Sequence, residues 1–253
     1  MKVVILGTFR TRSSYLLDTI CNHYKLAFKF EPYDDLTHEV YETSFKKLPA
    51  ENWKRYAEQV NLLSDQLITE SNYGLKIFSN AYFNSFIIDS TLSKKKIPTL
   101  LKTDKLDFIS NFKLHHYDQI YFVNRKSCID NAISYVYGTH TSLLYSERER
   151  KLVNHYKNKP IKLHYDHFTI QTMVLKWLLM DIYEKDLQKT KLPYIKLDYD
   201  EIPSYVGKNF PNTTSQFIDT ELDYANLVSN YHQFVDGVEK AIGELKDCYK
   251  ELS

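Results

Sequence analysis

Apolar and polar positions along the chain keep two different periods, and the two take turns. Lys2–Leu6 is a short apolar run that stops at Gly7, and Leu26, Phe28 and Phe30 alternate with polar or small residues; both patterns predict strands. Between them Leu16, Leu17, Ile20 and Tyr24 recur at helical spacing, with Ser13 or Ser14 as the start signal. Residues 50–71 read as a helix, followed by a strand GLKIF at 74–78 that is entered from Gly74. QIYFVN at 119–124 predicts a further strand, after which Cys128, Ile129, Ala132, Ile133 and Val136 line one helical face. Ile170, Met173, Val174, Trp177 and Leu178 do the same in a long helix that precedes a strand YIKLD at 194–198. Strands alternating with helices predict an α/β protein with a doubly wound parallel sheet, flanked by helices on both faces. With no internal repeat and no Gly/Ser-rich linker, residues 1–253 read as a single domain that closes in a helical segment over about 222–250. There Leu227, Tyr231, Phe234, Val238, Ala241, Leu245 and Cys248 form one apolar stripe of about three heptads. Such a stripe suits either the pairing of two protomers in a homodimer or docking on its own domain.

Composition narrows the functional classes. A hydrophobic fraction of 43% in 253 residues is enough for a sizeable core. The net charge of +1 argues against nucleic acid as a partner, because a general polyanion binder needs a clear excess of Lys and Arg; any anion site must be local. Cys21, Cys128 and Cys248 are odd in number and far apart, so they build neither a disulfide framework nor a zinc spacing, and a reducing, cytoplasmic setting follows as the expectation. No stretch reaches the 18 apolar residues of a membrane span, so a soluble protein is expected. The charge runs KKK at 94–96 and ERERK at 147–151 read as solvated faces.

The candidate chemistry begins where the first strand ends. GTFRTRSS at 7–14 has the outline of a P-loop, G-x-x-x-x-G-K-[ST], in which backbone amides and a helix N-terminus hold phosphates while the lysine reaches the terminal one. Gly7 and Ser14 keep that frame, but Arg12 stands at the second glycine and Ser13 at the lysine. What remains is still an anion site: a helix N-terminus, two serine hydroxyls and two guanidiniums, those of Arg10 and Arg12, within eight residues. A nucleoside-triphosphate site is disfavoured and another tetrahedral oxyanion is favoured.

GTFRTRSSYLLDTI resembles the 5′-phosphosulfate loop of sulfotransferases that use 3′-phosphoadenosine 5′-phosphosulfate (PAPS), commonly G-x-x-R-[ST]-G-[ST]-[ST] before a hydrophobic helix. Phe9 replaces a frequent Pro, and Arg12 replaces a Gly that the tight turn favours. IYFVNRKSCIDNAISYVYG at 120–138 resembles the family's 3′-phosphate segment, in which a strand ends in Arg and a Ser follows on the next helix; Arg125 and Ser134 match those types. Their separation of nine residues exceeds that of many members by one, so either Lys126 takes the arginine's place or the loop carries an extra residue. The stretch from His167 to YIKLDYDEI at 194–202 is similar to the family's long helix and following strand, and Tyr199 and Asp200 read there as scaffold.

Within that family the pattern is most like the bacterial carbohydrate sulfotransferases of the trehalose sulfotransferase type, which carry a Glu just beyond the second strand and a Lys on a strand G-[LV]-K. FEPYDD at 30–35 and GLKIF at 74–78 supply Glu31 and Lys76; without the resemblance these read as a turn residue and an edge-strand charge. The resemblance implies a P-loop-like fold, PAPS as sulfuryl donor, no metal, and a hydroxyl acceptor on a carbohydrate or glycolipid. It assigns Arg10, Thr11, Arg12, Ser13 and Ser14 to the 5′-phosphosulfate, Arg125 and Ser134 to the 3′-phosphate, and Glu31, Arg10 and Lys76 to catalysis. Glu31 is preferred as general base over His115, His116 and His140, because it follows a strand whose C-terminal end would share an edge with Gly7. Two other classes stay open: a nucleotide or nucleoside kinase of related architecture, and a catalytically silent module that binds PAPS or carbohydrate.

Overall fold

Among the described residues five strands form one sheet: β1 (Lys2–Gly7), β2 (Ala27–Lys29), β3 (Tyr73–Phe78), β4 (Gln119–Asn124) and β5 (Ile195–Asp198). All run parallel in the order β2-β3-β1-β4-β5. The computed structural model describes residues 1–8, 11–29, 31–33, 36, 49–82, 105–141, 160–217 and 222–250. Helices α1 (Ser13–Tyr24), α2 (Pro49–Thr69), α3 (Ser79–Tyr82), α4 (Cys128–Thr141), α5 (His167–Lys189), α6 (Ile202–Asn209), α7 (Tyr224–Leu227) and α8 (Tyr231–Lys250) connect and follow the strands. Among these residues no helix is long and apolar enough to cross a membrane.

Both faces of the sheet are covered, which is why β1 is a continuous apolar run instead of an alternating one. Val4 and Leu6 point into a core shared with α2, α4, α5 and α8, while Val3 and Ile5 meet Leu16, Leu17 and Ile20 of α1 and Ile202 and Val206 of α6. Gly74 sets the distance of α1 from β3. A Cβ there would lie 2.7 Å from Cys21 Sγ and 2.8 Å from Leu17 Cδ1, so only glycine lets the helix pack this close.

The C-terminal segment departs from the expected single helix over about 222–250. Asp223 caps a short turn, α7, by accepting from the Asn226 amide, and Val228 then leaves the helical path to form a parallel bridge with Ile161. Asn230 holds both backbone groups of Leu163, and α8 starts only at Tyr231. The apolar stripe is spent inside the chain: Phe234, Val238, Ala241 and Leu245 are buried in the core with α4 and α5. Phe234→Ala is therefore expected to cost about 3–5 kcal/mol, read as a lower denaturant midpoint, and a change below about 1 kcal/mol would contradict this packing. The side chain of Cys248, residues 94–96 and residues 147–151 lie outside the described part.

Candidate functional site

The chain leaves β1 toward β3 and β2, and leaves β4 toward β5, so the C-terminal ends of β1 and β4 flank the point where the winding reverses. In open parallel sheets that point is a crevice suited to ligands. On the β1 side, Gly7 is forced by proximity: a Cβ there would sit 2.9 Å from the Val123 carbonyl oxygen of β4. Thr11 is buried and its hydroxyl donates to the Thr8 carbonyl at 2.9 Å, so it braces the loop from within. Arg12 then enters the left-handed region at φ 57° and ψ 14°, the conformation for which the tight turn favours glycine. Other non-glycine residues with positive φ include Lys25 at the end of α1 and Lys191 just beyond α5, whereas Arg12 stands at a helix start. Its carbonyl accepts the first helical bond, from the Leu16 amide at 3.0 Å. Ser13 and Ser14 open α1, both buried, and no side chain from Arg12 caps the helix. Arg10 lies outside the described residues.

Lys76 corrects the reading of an edge-strand charge. β3 lies between β2 and β1, and Lys76 alternates with Leu75 and Ile77, so it faces α1 together with Gly74. Its side chain is only 1% exposed. A lysine that deep needs partners. It donates to Ser14 Oγ at 2.7 Å and to Glu31 Oε1 at 2.6 Å. The lysine absent from the loop is thus replaced in space by one from the neighbouring strand, placed at the start of α1. Glu31, 14% exposed, is more than a turn residue: it is the counterion of a buried ammonium and, through Lys76, the link between the β2 end and the start of α1.

On the β4 side, Asn124 and Asp198 stand in register, so the residues that follow them, Arg125 and Tyr199, emerge side by side. Arg125 is buried, and its carbonyl accepts from the Trp177 indole N–H of α5 at 2.8 Å. Lys126 is exposed and ion-paired to Asp198 at 2.6 Å. Of the two cations, then, Arg125 is the one turned inward, and Lys126 fastens β4 to β5. Ser134 is buried two turns along α4, on the helical stripe that runs through buried Asn131 to Ser127. Ser127 begins that helix, accepting from the Asp130 amide at 3.1 Å.

Tyr199, read from sequence as scaffold, joins the two sides. The guanidinium carbon of Arg12 lies 3.9 Å from the centroid of its ring and that of Arg125 lies 4.0 Å away. Arg12 also donates from Nη1 to the Tyr199 carbonyl at 3.1 Å. Arg12→Gly should relieve about 1–2 kcal/mol of backbone strain and forfeit a cation–π contact worth about 0.5–1 kcal/mol together with the hydrogen bond to the Tyr199 carbonyl, worth about 0.5–1.5 kcal/mol. Its stability by chemical denaturation is expected within about 1 kcal/mol of the parent. A much larger loss would show that the side-chain contact dominates.

No known protein-family model matches this chain, and no curated protein matches it either. Among the alternative bases, His115 and His116 sit just before β4, where the Asp118 amide meets the Lys2 carbonyl, at the opposite end of the sheet from the crevice. Desolvation, then His115, Lys2 and Lys113, push His116 below the usual imidazole range. The side chain of His140 is outside the described part. Burial raises the thiols of Cys21 and Cys128 to about 12, with Asp18 adding to the rise at Cys21, so neither offers a thiolate at neutral pH.

Proposed function

We propose that this protein transfers a sulfuryl group from PAPS to a hydroxyl of a carbohydrate or glycolipid acceptor, on a P-loop-like, doubly wound fold. The observation that carries the reading is the chain Glu31–Lys76–Ser14, which ties a candidate base to the start of α1 through a buried cation. The donor would lie across the crevice, with its phosphosulfate against the amides and hydroxyls of Ser13 and Ser14 and its 3′-phosphate toward Arg125 and Ser134. The residues fit that group, since they supply buried cations on both flanks of the crevice, Lys76 from β3 and Arg125 from β4. When bound, the donor supplies a sulfuryl group that is singly charged, so positioning and charge stabilisation suffice.

The chain's own residues have distinct tasks in this reading. Glu31 takes the proton of the acceptor hydroxyl as its oxygen bonds to sulfur. Lys76 and the first turn of α1 hold the negative charge that collects on the departing phosphate oxygen. Arg125 and Ser134 select a nucleotide that bears a 3′-phosphate.

Incubation with ³⁵S-labelled PAPS and a panel of hydroxyl-bearing glycans and glycolipids tests the proposal. Label should appear on an acceptor together with adenosine 3′,5′-bisphosphate, and EDTA should leave the rate unchanged. Transfer of the γ-phosphate of ATP would point to a kinase instead. Tight binding of the bisphosphate with no transfer to any acceptor would point to a silent binding module.

A further inference from the structure

The chain that follows α6 runs along α1 in the opposite direction, from the last turn of that helix toward the crevice. Phe210 ends α6 and packs edge-on against His23 and Tyr24, with ring centroids 5.2 and 6.1 Å apart. Thr213 Oγ1 then meets His23 Nδ1 at 3.2 Å, and the Thr214 carbonyl accepts from Asn22 Nδ2 at 2.9 Å. The main fastening is Asp18, a carboxylate only 4% exposed. It accepts from Ser215 Oγ and from the Gln216 amide, both at 2.8 Å, and from the Gln216 side chain at 3.3 Å, while Asn22 adds a bond at 3.3 Å from within the helix. A charge that deep needs donors, and residues 215–216 bring them from a distant part of the chain.

The segment comes to rest on β2. Phe217 is buried and stacks on Phe28 with ring centroids 5.6 Å apart, and its amide donates at 3.0 Å to Ser215 Oγ, the same hydroxyl that binds Asp18. This contact lies at a defined level of the sheet: Phe28 is in register with Gly74, against which Leu17 and Cys21, the neighbours of Asp18 on α1, are packed. Ser14 stands one helical turn nearer the crevice than Asp18, and Glu31 stands three residues beyond Phe28. Two bridges therefore join α1 to the β2 side, Ser14–Lys76–Glu31 at the crevice and Asp18–Ser215–Phe217–Phe28 beneath it. β2 is three residues long and forms one edge of the sheet, so its ladder to β3 is brief and the contacts on its face weigh heavily in where its end points.

We infer that Asp18 and Phe217 are positioning residues: the latch they form through residues 215–216 holds β2 against α1 and so sets the Glu31 carboxylate at Lys76 for its work as base. This rests on the proposed role of Glu31 but goes beyond it, because it places control of the base in a segment 198 residues from the helix it grips. A proton acceptor displaced by about 1 Å loses much of its rate advantage even while the nucleotide stays bound. Arg125 and Ser134 belong to the β4 side, two strands removed from β3 and its neighbour β2, so nucleotide affinity should not follow the latch.

The test compares the full chain with its Phe217→Ala, Phe217→Leu and Asp18→Asn variants in three measurements: turnover of ³⁵S-labelled PAPS on the glycan panel, affinity for adenosine 3′,5′-bisphosphate, and deuterium exchange in peptides covering Ala27–Lys29. Phe217→Ala and Asp18→Asn should each lower kcat by about tenfold or more and speed exchange in β2 by a similar factor, with bisphosphate affinity within about threefold of the parent. Phe217→Leu keeps an apolar cover on Phe28 and should hold kcat within about threefold. A merely structural role would lower the denaturant midpoint and leave kcat of the folded variants intact, which overturns the inference. So does a parallel fall of kcat and bisphosphate affinity, and so does a loss in Asp18→Asn that Phe217→Ala does not share, since the effect would then pass through α1 alone. If Phe217→Ala does not fold, Ser215→Ala, which removes only the hydroxyl between Asp18 and the Phe217 amide, takes its place with the same expected outcome. Should the parent move no label to any acceptor, the sulfuryl-transfer reading fails, and exchange decides the latch by itself: faster exchange in the variants upholds its grip on β2, and unchanged exchange overturns it.

Discussion

Glu31→Gln is expected to lower kcat by about 10²–10⁴-fold and, in the same protein, to cost measurable stability. The rate loss follows from removing a positioned general base. The stability loss follows from Lys76, whose side chain is 1% exposed and whose ammonium meets Glu31 Oε1 at 2.6 Å. Breaking a buried ion pair from one side strands the other charge, at about 3–5 kcal/mol; the glutamine oxygen still accepts a hydrogen bond, which places the expected loss near the lower end. The sequence reads Glu31 as a turn residue or a base, neither of which calls for a stability loss, and the ion pair with Lys76 adds one. A second variant separates the two effects. Lys76→Met combined with Glu31→Gln removes the stranded charge and fills its volume, and should recover most of the lost stability while turnover stays low. If Glu31→Gln keeps more than about a tenth of parental turnover with its true acceptor, Glu31 is not the base.

Arg125→Gln is expected to weaken binding of adenosine 3′,5′-bisphosphate by about 10- to 150-fold, the equivalent of a lost charge-assisted pair of roughly 1.5–3 kcal/mol. AMP, which lacks the 3′-phosphate, should bind the variant almost as it binds the parent. The fold should persist, because the bond from Trp177 goes to the Arg125 carbonyl and survives any substitution of the side chain. Lys126→Gln supplies the control. That lysine is exposed and spent on Asp198, so its loss should leave the bisphosphate affinity within about twofold of the parent. The reverse pattern, a strong effect at Lys126 and none at Arg125, would move the 3′-phosphate site.

What could be read in the sequence was what depends on neighbours along the chain. The strand Gln119–Asn124 matches its expected bounds because polar residues bracket a four-residue apolar core, and the start of α1 at Ser13 follows from hydroxyl residues ahead of a periodic run. The C-terminal helix was misjudged because a four-three spacing is blind to a break: Leu227 keeps the period yet belongs to α7, and the break is made by a bridge from Val228 to Ile161, 67 residues away. The cation beside Ser14 was visible only as a gap in the P-loop pattern, since the lysine that stands there comes from β3, 62 residues after Ser14. Tyr199 read as scaffold because nothing within its own segment calls for a function. Only the strand order, with β4 between β1 and β5, brings it against Arg12 and Arg125. A tyrosine directly after a strand end, in a chain where Arg125 directly follows β4 and Arg12 lies in the loop after β1, was the available signal.

The central claim is that this crevice is built for a nucleotide with phosphate at both ends of its ribose, and it is tested most directly by titrating the parent protein with adenosine 3′,5′-bisphosphate and, in parallel, with AMP under identical salt. The account predicts that the bisphosphate binds at least about tenfold more tightly; equal affinities for the two nucleotides would contradict it.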